Sequence, residues 1–540
     1  MRVHVTMTNE NPLGTTQWDV IIIGTGMGGS TLGYELAKKG FSVLFLEKGG
    51  RVAASDDHSE PITPEARLAR GWWPFRVTQR DPNGTPTRFF AAVGCAVGGS
   101  SIHYAAALER MSETDFSELR LDASTVVRWP VSFQDFLPHY VAAEKLYRAD
   151  EASLEMAMQR MSPWDRELMA QMRSNGLHPD PLHVAIRYDD QCRECMGTIC
   201  PRNCKSDAAT ACLDLALRLP NCGLLEHCDV RSLDADAHEV RSVRAMYEGR
   251  EVCLSARIIV LAAGALHSPQ ILLRSTSALW PRGLINGSDQ VGRNLMFHTS
   301  DLYAVWAPRR LDRRARQKKS ISVRDFYCRN GQRLGYVQSM GIEAGRGVIA
   351  LFLKDQLRRM GLENEFLLSL LVKAPSHIAS MIFGSASLFA GMTEDDPNPE
   401  NRITLDPSEP DGASFTYTIT SDLRQRALGL YGAFARGIRP WRAIRISPRL
   451  EMNYGHPCGT CRFGDDPEQS VLDRNCRAHD VANLYVVDAS FMPRSGAINP
   501  SLTIAANALR VAAHIAASAD KIASSVANRS AVLDKSAKLS

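Results

Sequence analysis

Two groups of residues in this chain have the types and spacing to do chemistry. The first is Gly24-Thr-Gly26-Met-Gly28-Gly29, which fits G-x-G-x-x-G. Gly24 permits a tight turn, and Gly26 lets the backbone approach a pyrophosphate. Gly29 lets a helix pack closely on a strand, and the N-terminus of that helix faces the phosphate charge. Glu47, at the end of the next apolar run, can accept hydrogen bonds from an adenosine ribose, and its charge disfavours a 2′-phosphate. NAD and FAD both suit such a cradle. The second group is Cys192-x2-Cys195-x4-Cys200-x3-Cys204. Four thiols this close can bind zinc or an iron–sulfur cluster. They can equally be free packing thiols, since disulfides are rare in reducing compartments. All three readings stand.

The cradle must be positioned by a β-α-β unit. WDVIIIG is a short β-branched run, STLGYELAKKG is helical and closed by Gly40, and FSVLFLE is a second buried strand. Two further buried strands, ARIIVLAAG at 256–264 and NLYVVDAS at 483–490, belong with them. Apolar strands of this kind build a parallel sheet covered on both faces. Pieces of one α/β domain therefore recur at the beginning, middle and end of the chain. Asn499-Pro500 followed by SLTIAANALRVAAHIAA reads as a helix start, with Asn as N-cap and Pro in the first turn. That helix end would sit at the positive pole of its own dipole.

The 540 residues are 44% hydrophobic and 23% charged, which excludes disordered, collagen-like and coiled-coil chains. A net charge of only +4 argues against a nucleic-acid partner. The basic run RRLDRRARQKK at 309–319 reads as a solvated loop or a docking surface. No stretch of about 18 consecutive apolar residues occurs, so no membrane span is expected. The first residues lack the apolar core of a secretory signal, and a cytoplasmic location is expected.

Four further segments resemble the glucose-methanol-choline (GMC) oxidoreductase family of FAD enzymes. Gly94-Cys-Ala-Val-Gly98-Gly99-Ser100-Ser101-Ile102-His103 is similar to its first flavin-contacting loop, and Gly264-Ala-Leu-His-Ser268-Pro269-Gln270 to its second signature. Val291-Gly292-Arg293-Asn294-Leu295 resembles the segment where the chain leaves the flavin domain. His456-Pro-Cys-Gly459-Thr460, with Asp488-Ala-Ser and Asn499-Pro500-Ser-Leu-Thr, resembles the catalytic end. The motifs keep the family's order from about residue 18 to 517.

The resemblance implies an α/β fold: a Rossmann-like FAD-binding domain of the GMC type with a discontinuous substrate or cap domain on an antiparallel sheet. The FAD domain would comprise 18–125, 220–300 and 450–520, with a cysteine-rich cap at 126–219, a substrate domain at 301–449 and flexible termini at 1–17 and 521–540. FAD would be held by Gly24, Gly26, Gly29, Glu47, Gly98, Gly99, Ser100, His103, Val230, Ala263, Gly264, Asp488, Ala489 and Pro500. The implied chemistry is oxidation of a small-molecule alcohol, with electrons leaving to oxygen or another redox acceptor. Removing a hydroxyl proton needs a base near neutral pH, a task suited to histidine. His456 takes that role by resemblance, with Asn499 as its partner on the substrate oxygen. His103 departs from the commonest pattern, which has Asn near this point. It matches members with histidine there, some of which bond it covalently to flavin. The x4/x3 cysteine spacing resembles cluster-bearing sugar dehydrogenases of the family, although Lys205 follows Cys204 here where they have proline. Within the family, aminosugar and polyol oxidases of aminoglycoside antibiotic pathways, of the paromamine 6′-oxidase type, have similar length. They imply a primary CH2OH on a sugar, aminosugar or cyclitol. An iron–sulfur dehydrogenase serving an electron-accepting partner and a flavin-binding lyase remain alternatives.

Overall fold

A computed structural model describes residues 18–518, apart from 55–62, 82–85, 123–125, 190, 193, 309–318, 329–330, 344–345, 360, 363, 384–385, 408–411 and 448. The termini expected to be flexible, and the basic run apart from Lys319, lie outside the described residues.

The β-branched run Trp18–Ile23 pairs in parallel with Val43–Leu46 on one side and Ala256–Leu261 on the other. Leu484–Val486 and Cys222–Leu225 complete a five-stranded parallel sheet with Trp18–Ile23 at its centre. Val20 to Ile22, Val43 to Leu46 and Ile258 to Leu261 are all buried, as covered faces require. Helix Met27–Lys38 lays Leu32 and Leu36 on this sheet. The glycine turn thus emerges at the C-terminal edge of the middle strand, where open α/β sheets bind their ligands.

A second sheet has six strands, all paired antiparallel: Pro179–Pro181, Ile321–Val323, Tyr336–Glu343, Ser387–Met392, Asp301–Trp306 and Arg442–Arg445. Its core packs Tyr303, Val337 and Phe389 against Leu430 and Phe434 of helix Ser421–Gly437. A third sheet joins Val77–Arg80 and Thr87–Phe89 to Arg402–Thr404 and Ala413–Thr416. Segments assigned from sequence to separate domains therefore share sheets, because strand pairing is not bound by order along the chain. Between the two large sheets, Met296–Thr299 pairs antiparallel with Met452–Cys458. That two-stranded ribbon carries His298 and His456.

One helix bears on the expected absence of a membrane span. Within helix Glu365–Phe383, the span Phe366–Phe383 has a mean hydropathy of 1.6 and is long and apolar enough, by length and composition, to cross a bilayer. Lys373, His377 and three serines interrupt the apolar run but leave its mean high, so a search for unbroken runs passes it over.

Candidate cofactor and catalytic site

A cavity of about 600 Å³ runs from the glycine turn to the His456–Asn499 end. Its walls include every residue expected to hold FAD or react, except Gly29 and Gly98. Those two act behind the wall. A Cβ on Gly29 would lie 2.1 Å from the Gly24 carbonyl oxygen, so Gly29 sets the close approach of helix and strand. Gly98 has φ +98° in the turn that enters Gly99–Ile102, and a Cβ there would press on Ile102.

The residues present fit FAD. A Cβ on Gly26 would meet nothing within 4 Å, so the turn leaves open space where a pyrophosphate would lie against backbone N–H groups. Gly24, at φ +102°, makes the left-handed turn that permits this. Glu47 is buried, which raises its carboxyl. One oxygen accepts from Thr25 N (3.0 Å) and Thr25 Oγ1 (2.6 Å), and the other from Gly49 N (3.0 Å). The acid thereby ties the second strand to the glycine turn. Asp488 does the same further along: Oδ2 accepts from Gly264 N (2.9 Å) and Ser268 Oγ (2.5 Å), and Oδ1 from Ser490 N (2.9 Å).

Two stacked imidazoles border the middle of the cavity. His103 lies on Trp72 with centroids 3.7 Å apart, and His267 on Trp73 at 3.6 Å. Their buried ring nitrogens have no hydrogen-bond partner among the described residues, as groups awaiting a ligand would not. Burial, then the nearby charge of Lys205, lowers His103 to about 4; burial, then Lys48, lowers His267 to about 3.

The cysteine loop covers this region without converging on a metal. Cys204 Sγ donates to Asp189 (3.4 Å), Cys200 Sγ accepts from Cys204 N (3.3 Å), and Cys192 Sγ accepts from Glu194 N (3.5 Å). Among the described residues no group of three or more His, Cys, Asp or Glu side chains is placed to hold a metal ion. The organiser is Lys205, whose buried Nζ donates to the carbonyls of Ile102, Tyr104, Cys195 and Thr198 at 2.7–3.1 Å. Gly197 N then donates to His103 O (3.0 Å), binding this loop to the expected flavin loop.

At the far end, His456 is half-buried and faces the cavity. Burial, then His298 and Lys319, lowers it to about 3. Asn453 orients it. Asn453 Oδ1 accepts from Gly455 N (3.0 Å), which turns Nδ2 toward His456 Nδ1 at 3.3 Å. That contact favours the resting tautomer with the proton on Nε2. His298 packs edge-on to His456 at 5.2 Å and reaches the Ser495 carbonyl through Nε2 (3.1 Å). Asn499 does not cap its helix. The first helical turn closes from Ile504 N to Pro500 O, and Asn499 Nδ2 instead donates to Gln338 Oε1 (3.1 Å). Pro500, rather than Asn499, starts the helix over 501–518, and the amide is left to link it to the antiparallel sheet.

A buried ion network fixes this end. Arg494 grips Glu394 with two hydrogen bonds (2.9 and 3.0 Å), and Arg333 also bonds Glu394. Burial raises the Glu394 carboxyl, but Arg494 and Arg333 override it and hold it below the ordinary range. Tyr327 OH donates to Asp115 (2.6 Å) and accepts from Ala497 N (3.0 Å), two residues before Asn499.

Sequence reasoning missed His298, Gln338, Asn453 and Lys319. His298 carried a signal, three residues beyond the quoted Val291–Leu295 segment. Lys319 carried a misleading one: read as the end of a solvated basic run, it is buried in the cavity wall. Lys319 is buried and donates to Ala105 O (2.5 Å); burial lowers it to about 7. The carboxylates lining the cavity (Glu47, Asp229 and Asp488) all lie beside the parallel sheet, so Lys319 and no acid borders the His456 end among the described residues.

Comparison with known proteins agrees with this geometry. Family models described as GMC oxidoreductase match residues 18–300 and 397–508. The chain is 28% identical to 6′′′-hydroxyparomomycin C oxidase of Streptomyces lividus, over 93% of this chain and 92% of that protein. It is also 28% identical to paromamine 6′-oxidase of Streptomyces fradiae, over 92% and 91%. Among solved structures, pyridoxine 4-oxidase from Mesorbium loti superposes with a TM-score of 0.62 at 22% identity, covering 92% of this chain and 99% of that one. The chain belongs to the GMC oxidoreductase family: it is an FAD-binding oxidoreductase acting on alcohols.

Proposed function

We propose that this GMC oxidoreductase oxidises the primary CH2OH of a sugar- or cyclitol-type substrate to the aldehyde, with His456 removing the hydroxyl proton. FAD, when bound, supplies the two-electron acceptor. Gly24, Gly26, Glu47, Val230, Ala263, Gly264, Asp488, Ala489 and Pro500 would hold the cofactor, with Gly99, Ser100 and His103 on its flavin portion. The observation that carries the reading is His456 at the far end of the cavity, kept neutral by burial, flanked by Asn453 and His298, with Asn499 lining the same cavity. Burial keeps the ring neutral, so it is free to accept the hydroxyl proton while the hydride leaves carbon for the flavin. Accepting it on Nε2 requires the resting proton to sit on Nδ1, and the long Asn453 contact must loosen as substrate binds. Asn499, held by Gln338, would hydrogen-bond the substrate oxygen and keep the hydroxyl in line.

The two named relatives support a primary alcohol on a sugar-derived substrate and oxygen as the electron acceptor. The charge pattern narrows this further. No carboxylate lines the His456 end among the described residues, so nothing in that wall offsets the cost of burying ammonium groups, which favours an uncharged sugar or cyclitol over an aminosugar bearing several of them. The test is anaerobic mixing of the flavin-loaded protein with paired neutral and aminated primary alcohols while the flavin absorbance is followed. Faster bleaching by the neutral member of each pair supports the reading; bleaching by neither, or only by the aminated member, overturns it.

A further inference from the structure

The helices Arg346–Arg359 and Glu365–Phe383 form a hairpin beside the antiparallel sheet, joined across their faces by Lys354 Nζ to Ser369 Oγ (2.8 Å). The second helix buries Leu368, Val372 and Ser376, which repeat every four residues on one face. On the other side Phe366, Leu370, Leu371, Ile378, Met381 and Ile382 are exposed, Phe366 to 80% and Met381 to 70%. At about 100° per residue these positions fall within one sector of the helix surface. An exposed apolar stripe of this length, with His377 among its side chains, marks an interaction site.

Charge decides the occupant. Lys373 is exposed at the edge of the stripe. Trp306, 5.6 Å from Phe383 at the helix end, pairs with exposed Arg442 on the edge strand Arg442–Arg445, where Ile444 is also exposed. Apolar side chains bordered by the exposed Lys373 and Arg442 complement an anionic lipid surface. Crossing the bilayer would strip the packed Leu368–Val372 face from the protein and place Lys373 in hydrocarbon, whereas lying in the headgroup plane keeps both satisfied.

We propose that the Phe366–Phe383 face is a docking surface for an anionic bilayer, on which the helix lies in the interfacial plane without spanning. The docking helix and the cavity wall share one apolar cluster. Phe383 and Ile349 pack there with Trp306 and with Met340, which also lines the cavity.

The test is co-sedimentation of the full-length, FAD-loaded protein with vesicles of phosphatidylcholine alone or with about one third phosphatidylglycerol, at low and high salt. Pelleting with the anionic vesicles, weakened by salt, is expected. The fourfold variant Phe366→Ser, Leu370→Ser, Ile378→Ser and Met381→Ser should partition about tenfold less or weaker still while retaining its FAD. If that variant loses FAD, Phe366→Asp and Met381→Asp, at the two most exposed positions, carry the same comparison. No pelleting of wild type with anionic vesicles, or unchanged partitioning of the variants, overturns the proposal. So does a wild-type dimer that the variants render monomeric without any vesicle binding, which would assign the face to a second copy of the chain.

Discussion

The two ends of the cavity are built on different principles. At the cofactor end the backbone does the work: a left-handed turn at Gly24, an open face at Gly26, a close approach at Gly29 and the carboxyl clamps of Glu47 and Asp488. At the proposed reacting end, side chains from four segments gather: His298, Gln338, Asn499, and Asn453 with His456 on one strand. The first end tolerates change wherever a side chain points outward and none where backbone packs on backbone. The second depends on register between sheets, held by the Arg494–Glu394 pair.

The sharpest contrast is expected within the cradle itself. Gly29→Val forces a side chain onto the Gly24 carbonyl and should leave little folded protein. Gly26→Val projects into the cavity, so it should fold with native secondary structure and purify colourless. Circular dichroism and flavin content separate the two; full flavin occupancy in Gly26→Val would break the assignment of that turn. At the other end, Arg494→Met leaves the buried Glu394 charge with Arg333 as its remaining partner. That should cost about 3–5 kcal/mol, read as a lower urea midpoint.

Acid should find the reacting end and the stacked imidazoles together. Burial lowers His103 and His298 to about 4 and His267 and His456 to about 3, against about 6.5 in the unfolded chain. The unfolded state binds the protons first, so their stabilisation is fully present above pH 6.5 and is lost as pH falls through the folded values. Each group removes about 1.4 kcal/mol per pH unit within that window. The buried carboxyls of Asp395 and Asp115, raised by burial to about 7 and about 6, act in the opposite sense over the same range. The histidine contribution is therefore read as the difference in urea midpoint between wild type and His298→Gln at pH 7, 6 and 5; a difference that does not change with pH would contradict it. The smallest effect is expected from Asn453→Asp. A carboxylate at His456 Nδ1 favours the proton there and raises the ring's pKa, which should move the acid limb of substrate-driven flavin reduction to higher pH.

Legibility followed the same division. The glycine turn, the strand ends and the parallel sheet could be read because each requirement is local to a few consecutive residues. His456 and Asn499 were legible only through a resemblance, and the helix-cap reading of Asn499 gave way to its bond with Gln338. That residue lies on a strand 161 positions away in sequence. Lys205 was visible only as a departure from a cluster motif, since nothing in the spacing reveals an ammonium gathering four carbonyls. The apolar helix was hidden by Lys373, whose long side chain can sit at the margin of the face it interrupts.

The central claim is that His456 removes the substrate proton, and the rate of anaerobic flavin reduction by a saturating primary alcohol tests it most directly. His456→Ala, with FAD content equal to wild type, should reduce its flavin about 10²–10⁴-fold more slowly. Reduction at the wild-type rate would contradict the account and place the base elsewhere on the cavity wall.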